Sequence, residues 1–150
     1  MKIGISACLL GYNVRYNGTN KLNDKLLDIL KDHELIPICP EQLATFPIPH
    51  LPLEIKNNKV FDESGKDVTK QLQEGSIKAY ELIKDCDFLV LKTKSPSCGY
   101  RKIYDGTFSG KIINGNGVFT DIALKNNKKV FSEEDLELII TYLTRSVCNH

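Results

Sequence analysis

Apolar positions along this chain recur with two different periods, and the switches between them outline alternating strands and helices. Lys2 to Ala7 alternates weakly and is rich in β-branched residues, as expected of a central strand covered on both faces. From about Asn20 to Asp32, Leu22, Leu26, Leu27 and Leu30 fall at helical spacing. Glu34 to Ile38 reads as a second strand, stopped by Cys39-Pro40. Pro47, Pro49 and Pro52 are expected to keep residues 40–53 out of regular structure. Leu53 to Asp62, with Asn57-Asn58 at its middle, suits a small hairpin.

Asp67 then fits the cap of a helix reaching to about Asp85, with Val68, Leu72, Ala79, Leu82 and Ile83 as its inner stripe. The unbroken apolar run Phe88-Leu89-Val90-Leu91 has the length of a buried strand. Lys92 to Gly99 leaves that strand as a loop. The glycine-rich stretch from Ile103 to Gly117 reads as one long loop with room for a strand pair. Val118 to Asn126 predicts a short helix and Lys129 to Phe131 a last strand. Ser132 is placed to cap a final helix with the stripe Leu136, Ile139, Ile140 and Leu143. Strands alternating with helices imply an α/β fold: a single three-layer, Rossmann-like domain over residues 1–150, with a mainly parallel sheet.

Composition narrows what such a domain does. A chain of 150 residues buries enough surface to be stable without disulfides. With a formal net charge of +1 and no aromatic-plus-basic cluster, no nucleic-acid polymer is expected as partner. The apolar start is broken by Gly4 and Ser6, which makes a poor signal peptide and too short a span for a bilayer, so neither export nor a membrane is expected. The expectation is a cytoplasmic protein, monomer or homodimer. In a reducing compartment its five cysteines suit metal binding or catalysis better than a disulfide framework.

The positions of those cysteines carry the most information. Cys8 follows the first strand, Cys39 the second, and Cys98 lies in the loop after Phe88–Leu91. In an open parallel sheet the carboxyl ends of the strands share one edge, where ligands bind. The three are therefore expected to meet in one crevice. Cys86 precedes its strand and belongs near the opposite edge, while Cys148 sits on a tail prone to fraying.

Free cysteines are commonly simple core residues, and a structural zinc with a fourth ligand is another reading of the trio. No C-x-x-C pair is present, which argues against a zinc ribbon or a thioredoxin-like motif. Three soft thiolates without a fourth suit an iron–sulfur cluster that leaves one iron open to act as a thiophilic Lewis acid.

Other candidates lie near the trio. Glu41, two residues after Cys39, is a candidate acid or base, and Ser97, just before Cys98, a candidate for orienting substrate or water. Lys92 and Lys94 end the third strand and are placed to neutralise charge. Asp105-Gly106-Thr107-Phe108-Ser109-Gly110 offers backbone N–H groups and small hydroxyls, as an anion-binding loop does, and also reads as a plain turn. Lys94, Asp105 and Thr107 are the candidate substrate contacts. None of the three histidines, His33, His50 and His150, has an evident triad partner.

Five blocks together resemble a known family: Ser6-Ala7-Cys8-Leu9-Leu10-Gly11, Val14-Arg15-Tyr16-Asn17-Gly18, Cys39-Pro40-Glu41, Lys94-Ser95-Pro96-Ser97-Cys98-Gly99 and Tyr104-Asp105-Gly106-Thr107-Phe108-Ser109-Gly110. In this order they are similar to the bacterial domain-of-unknown-function 523 family, which includes thiouracil desulfidases. The resemblance implies a [4Fe–4S] cluster held by three cysteines, here Cys8, Cys39 and Cys98, whose open iron takes a thiocarbonyl sulfur. It implies hydrolytic replacement of sulfur by oxygen in a small thiolated substrate without net redox change, with Glu41 and Ser97 serving proton transfer and orientation. Where many relatives have Gly-Gly-Leu-Pro-x-Pro-Arg after Cys-Pro-Glu, this chain has Ala44-Thr45-Phe46-Pro47-Ile48-Pro49-His50, so the pocket differs from that pattern in shape and charge. A sulfur-transfer protein and a non-catalytic cluster-bearing regulatory module are the rival readings of the same ligand set.

Overall fold

A computed structural model describes residues 1–148, with side chains to Arg145. The expectations for the tail cysteine Cys148 and for His150 lie outside the described side chains. Four parallel strands form the central sheet in the order β2-β1-β5-β8: β1 (Lys2–Ser6), β2 (Glu34–Ile38), β5 (Phe88–Leu91) and β8 (Val130–Ser132). All four residues of β5 are buried, which is the signature of a strand covered on both faces. β2 lies at an edge, and there the sheet tolerates Pro37, which has no amide hydrogen to donate.

Two helices cover each face. On one face Ile3, Ile5, Phe88 and Val90 pack with Leu26 and Leu30 of α1 (Asp24–Leu30) and Ile139 of α5 (Leu136–Cys148). Phe88 meets Phe131 and Tyr142 edge-on, with ring centres 5.5 and 5.2 Å away. On the other face Ile38, Leu89, Leu91 and Val130 pack with Ala79 and Ile83 of α3 (Thr69–Ile83) and with Phe119 and Ala123 of α4 (Val118–Lys125). The expected α/β, three-layer parallel architecture is thus present. A hairpin of β3 (Leu53–Lys56) and β4 (Lys59–Asp62) is attached through a satellite core of Leu53, Val60, Val68 and Leu72. A second antiparallel pair, β6 (Lys102–Tyr104) and β7 (Ile112–Asn114), stands within the glycine-rich segment.

Several local expectations need correction. Residues 40–53 are not wholly irregular, because Pro40–Leu43 forms a single-turn helix, α2, with its proline at the first position, where a fixed φ and a missing amide hydrogen cost nothing. Helix α1 begins at Asp24 rather than Asn20, since the Asn23 side chain accepts a hydrogen bond from the Leu26 amide and caps it there. Leu22 is left outside the helix and 49% exposed. Leu82 and Ile140, placed on inner stripes by spacing, turn to solvent at 55% and 46% exposure. Asp67 sits one residue too early to cap α3; its carboxylate accepts from the Thr69 amide and hydroxyl ahead of the helix. Ser132 ends β8, and its hydroxyl accepts from the Glu134 amide rather than capping α5 directly.

Candidate active site

The carboxyl ends of β1, β2 and β5 open onto one cavity of about 390 Å³, at the lower end of the usual size for small-molecule sites. Cys8, Cys39 and Cys98 all line it. Cys8 sits in a 3-10 turn (Ala7–Leu10) directly after β1, and its carbonyl accepts from the amides of Gly11 and Lys21, folding the following loop back over the sheet edge. Cys39 stands just before α2, where the amides of Gln42 and Glu41 partly offset the upward shift of its thiol. Cys98 is reached by a turn in which the Ser95 hydroxyl accepts from the amides of Ser97 and Cys98.

That turn is tied to α4 from below. The Val118 and Phe119 amides, unsatisfied within their own helix, donate to the carbonyls of Pro96 and Ser97. Gly117 makes this possible, because a Cβ there would lie 2.4 Å from the Ser97 carbonyl oxygen.

Burial raises all three thiols. Cys8 and Cys39 are each pushed up to about 11, and Cys98 is shifted in the same direction. Lys92 and Arg15 partly oppose the shift at Cys8. Protein hydrogen bonding to the sulfurs is thin: Cys39 Sγ is 3.9 Å from the Val14 carbonyl and Cys98 Sγ 3.9 Å from Ser97 Oγ. Three under-bonded soft donors from three strand ends, facing one cavity, fit a thiophilic group such as an iron–sulfur cluster. Among the described residues no three of His, Cys, Asp and Glu are arranged to hold a single metal ion; the three cysteines line a cavity.

Glu41 and Ser97, both singled out in the sequence, meet in this cavity. The Ser97 hydroxyl donates to Glu41 Oε2 at 3.4 Å and is 3.0 Å from the Ser95 hydroxyl. Burial raises the Glu41 carboxyl to about 7, against the opposing effects of Ser97 and Arg15. Lys92 and Lys94 also line the cavity. Lys92 pairs with Glu133 at 3.4 Å, and Glu133 further accepts from the Thr93 amide at 2.9 Å and from its hydroxyl.

Two expected substrate contacts are placed differently. Asp105 and Thr107 do not line the cavity; the Asp105 carboxylate accepts from the Thr107 amide and hydroxyl, a closed turn of its own. The wall comes instead from their neighbours Tyr104, Phe108 and Gly110.

Two further residues, neither among the sequence candidates, adjoin these groups. His50 lies with Nε2 3.7 Å from Glu41 Oε1, its Nδ1 2.6 Å from the Leu51 carbonyl and its ring against Phe46 and Tyr16. It therefore faces an acid, a pairing that the sequence did not indicate. Glu54, in the middle of an ordinary-looking strand, is buried and lines the cavity.

Known proteins resemble this chain in sequence and in fold. Residues 3–135 match the family described as 2-thiouracil desulfurase. The chain is 35% identical over 148 residues to the uncharacterized protein YbbK of Bacillus subtilis (strain 168), covering 91% of this chain and 98% of YbbK. Among solved structures it is similar to the [4Fe–4S]-dependent thiouracil desulfidase TudS (DUF523Vcz), at 37% identity and a TM-score of 0.88, over 95% of this chain and 97% of that one.

Proposed function

This chain belongs to the 2-thiouracil desulfurase family, and from that premise we propose that it is a [4Fe–4S]-dependent desulfidase exchanging sulfur for oxygen in a thiolated nucleobase or similar thioamide. The observation that carries the reading is the convergence of Cys8, Cys39 and Cys98 on one cavity that also holds Glu41 and Ser97. Cys8, Cys39 and Cys98 would hold the cluster. When bound, it would supply an open, sulfur-seeking iron that polarises the thiocarbonyl carbon.

The remaining chemistry belongs to the chain. The net reaction consumes water and a thiocarbonyl and yields the carbonyl and hydrogen sulfide, so no electrons are exchanged. Glu41 takes the proton of the attacking water at a carboxylate oxygen and returns it to the leaving side. With its carboxyl at about 7, the group is poised to do both near neutral pH. Ser97, hydrogen-bonded to Glu41, orients that carboxylate and the incoming oxygen. Lys92 and Lys94 offset negative charge in the cavity they line. A cluster held by three thiolates would be kept in a reducing compartment such as the cytoplasm.

Protein purified without oxygen should be brown, contain iron and inorganic sulfide, and release sulfide from 2- or 4-thiouracil with formation of uracil. Colourless protein that resists reconstitution, or loaded protein inert toward every thio-base, overturns the reading.

A further inference from the structure

One wall of the cavity is held in place by a single buried carboxylate. Glu54 on β3 is 8% exposed and uses one oxygen, Oε1, to accept from the backbone amides of Gly106 at 3.0 Å and Phe108 at 3.2 Å. Strand β6, which leads into this turn, runs against β3. The turn it grips is not relaxed. Gly106 has φ +94°, and a Cβ there would meet Lys56 Cβ at 2.6 Å and the Ile55 carbonyl at 2.8 Å, so only glycine lets the turn approach β3 this closely.

Phe108 has φ +56°, a left-handed conformation that a phenylalanine keeps only under constraint. The Asp105 carboxylate braces the same turn from within by accepting from Thr107. What this anchoring presents to the cavity is aromatic: Phe108 and Tyr104 line it together with the three cysteines and Glu41.

We propose that Phe108 determines specificity by offering its ring to a flat, heteroaromatic thio-base, and that Glu54 is the positioning residue that holds it there. The proposal rests on the desulfidase reading and sharpens its substrate class. Aromatic faces reward planar π-systems and give little to a small non-aromatic thioamide. By accepting both backbone amides at Oε1, Glu54 fixes the turn that carries Phe108, and its role here runs through that loop.

The test uses cluster-loaded protein and two probes, 2-thiouracil and thioacetamide. Phe108→Ala should weaken 2-thiouracil, in Kd by calorimetry and in KM, by roughly 5- to 150-fold, the range base–aromatic stacking supports. Thioacetamide binding should weaken far less than 2-thiouracil binding, and iron content should match wild type. In Glu54→Ala the Gly106 and Phe108 amides should exchange hydrogen roughly tenfold faster. Glu54→Gln, whose amide oxygen still accepts, should restore their protection.

Equal weakening of both probes overturns the role of Phe108, and unchanged amide exchange in Glu54→Ala overturns the clamp. If wild-type protein binds 2-thiouracil but desulfurates neither probe, the desulfidase reading falls, while calorimetry and amide exchange still decide this one. If it does not bind 2-thiouracil at all, the specificity proposal is overturned as well.

Discussion

Ser97 Oγ lies 3.4 Å from Glu41 Oε2 across 56 positions of sequence, and the two residues adjoin different cysteines of the trio. Glu41 rides on α2 just after Cys39, and Ser97 on the turn that delivers Cys98. The proposed acid–base pair is therefore assembled by the same two strand ends that bring the thiols together. Replacing Glu41 by Gln should lower kcat by roughly 10²- to 10⁴-fold, the usual share of a general acid–base group. Iron content should stay at the wild-type level. Steady-state rates and iron analysis on the same preparation check this, and a near-wild-type kcat in loaded Glu41→Gln would remove Glu41 from the mechanism.

Ser97→Ala should act differently. It deletes a hydroxyl that hydrogen-bonds Glu41 and neighbours Ser95 but leaves the turn's backbone bonds to the Ser95 hydroxyl in place. The expected result is a loss smaller than that of Glu41→Gln. The double variant should be no slower than Glu41→Gln alone, because groups acting as a unit are non-additive. Losses that simply multiply would mean the two residues work independently.

Much of this site was legible in the sequence, for a physical reason. Strand length and buried apolar runs place Ile3–Ile5, Ile36–Ile38 and Phe88–Leu91 in a parallel sheet, and parallel strands send their following loops to one edge. Cys8, Cys39, Cys98, Glu41 and Ser97 follow from that rule alone. His50 and Glu54 do not, because their positions depend on how the irregular 44–52 segment and the β3–β4 hairpin fold back over the edge. The His50 amide, for example, donates to the Tyr16 carbonyl, a contact between two loops with no periodicity. Asp105 and Thr107 misled because a turn that satisfies its own polar groups has the same composition as one that binds an anion. Leu82 and Ile140 show the other limit: helical spacing identifies a stripe, and its width depends on what packs against it.

The Lys92–Glu133 pair ties the end of β5 to the residue after β8 and should matter for stability. Glu133 is 11% and Lys92 20% exposed at the side chain, and Glu133 also satisfies the buried Thr93 amide. Truncating Glu133 to Ala leaves a partly buried ammonium and an unpaired amide hydrogen. The expected cost is about 2–4 kcal/mol in urea unfolding at neutral pH. Glu133→Gln, which can still accept from Thr93, should cost less, and equal losses would show that the charge pair and not the amide contact is what counts.

The raised thiols predict how the cluster-free chain behaves. With Cys8 and Cys39 at about 11 and Cys98 also shifted upward, all three are protonated at neutral pH. Alkylation by iodoacetamide, which needs thiolate, should be slower than for a free cysteine and should accelerate with pH through 9 to 11, roughly tenfold per unit below the thiol's own pKa. Cluster loading must displace those protons, one from each of the three thiols. Fast alkylation at neutral pH would contradict the burial argument.

Glu41 makes a separate prediction for the cluster-free chain, with a definite sign. Its carboxyl is ordinarily near 4.5 and is raised to about 7 in the fold by burial. Between these values the folded protein holds a proton that the unfolded chain has released, so the contribution of this group falls as pH rises from about 4.5 to 7 and is level outside that window. A shift of this size amounts to about 3 kcal/mol, and Glu41→Gln, which cannot ionise, should not show it. Urea unfolding of both cluster-free proteins at pH 4.5, 6 and 8 isolates the effect, because every other titrating group is common to the two. The stability of wild type relative to Glu41→Gln should decline between the first and last pH. A flat difference would mean an unshifted carboxyl, and one that grows with pH a carboxylate stabilised as an ion; in either case Glu41 would lack the proton it is proposed to exchange near neutral pH.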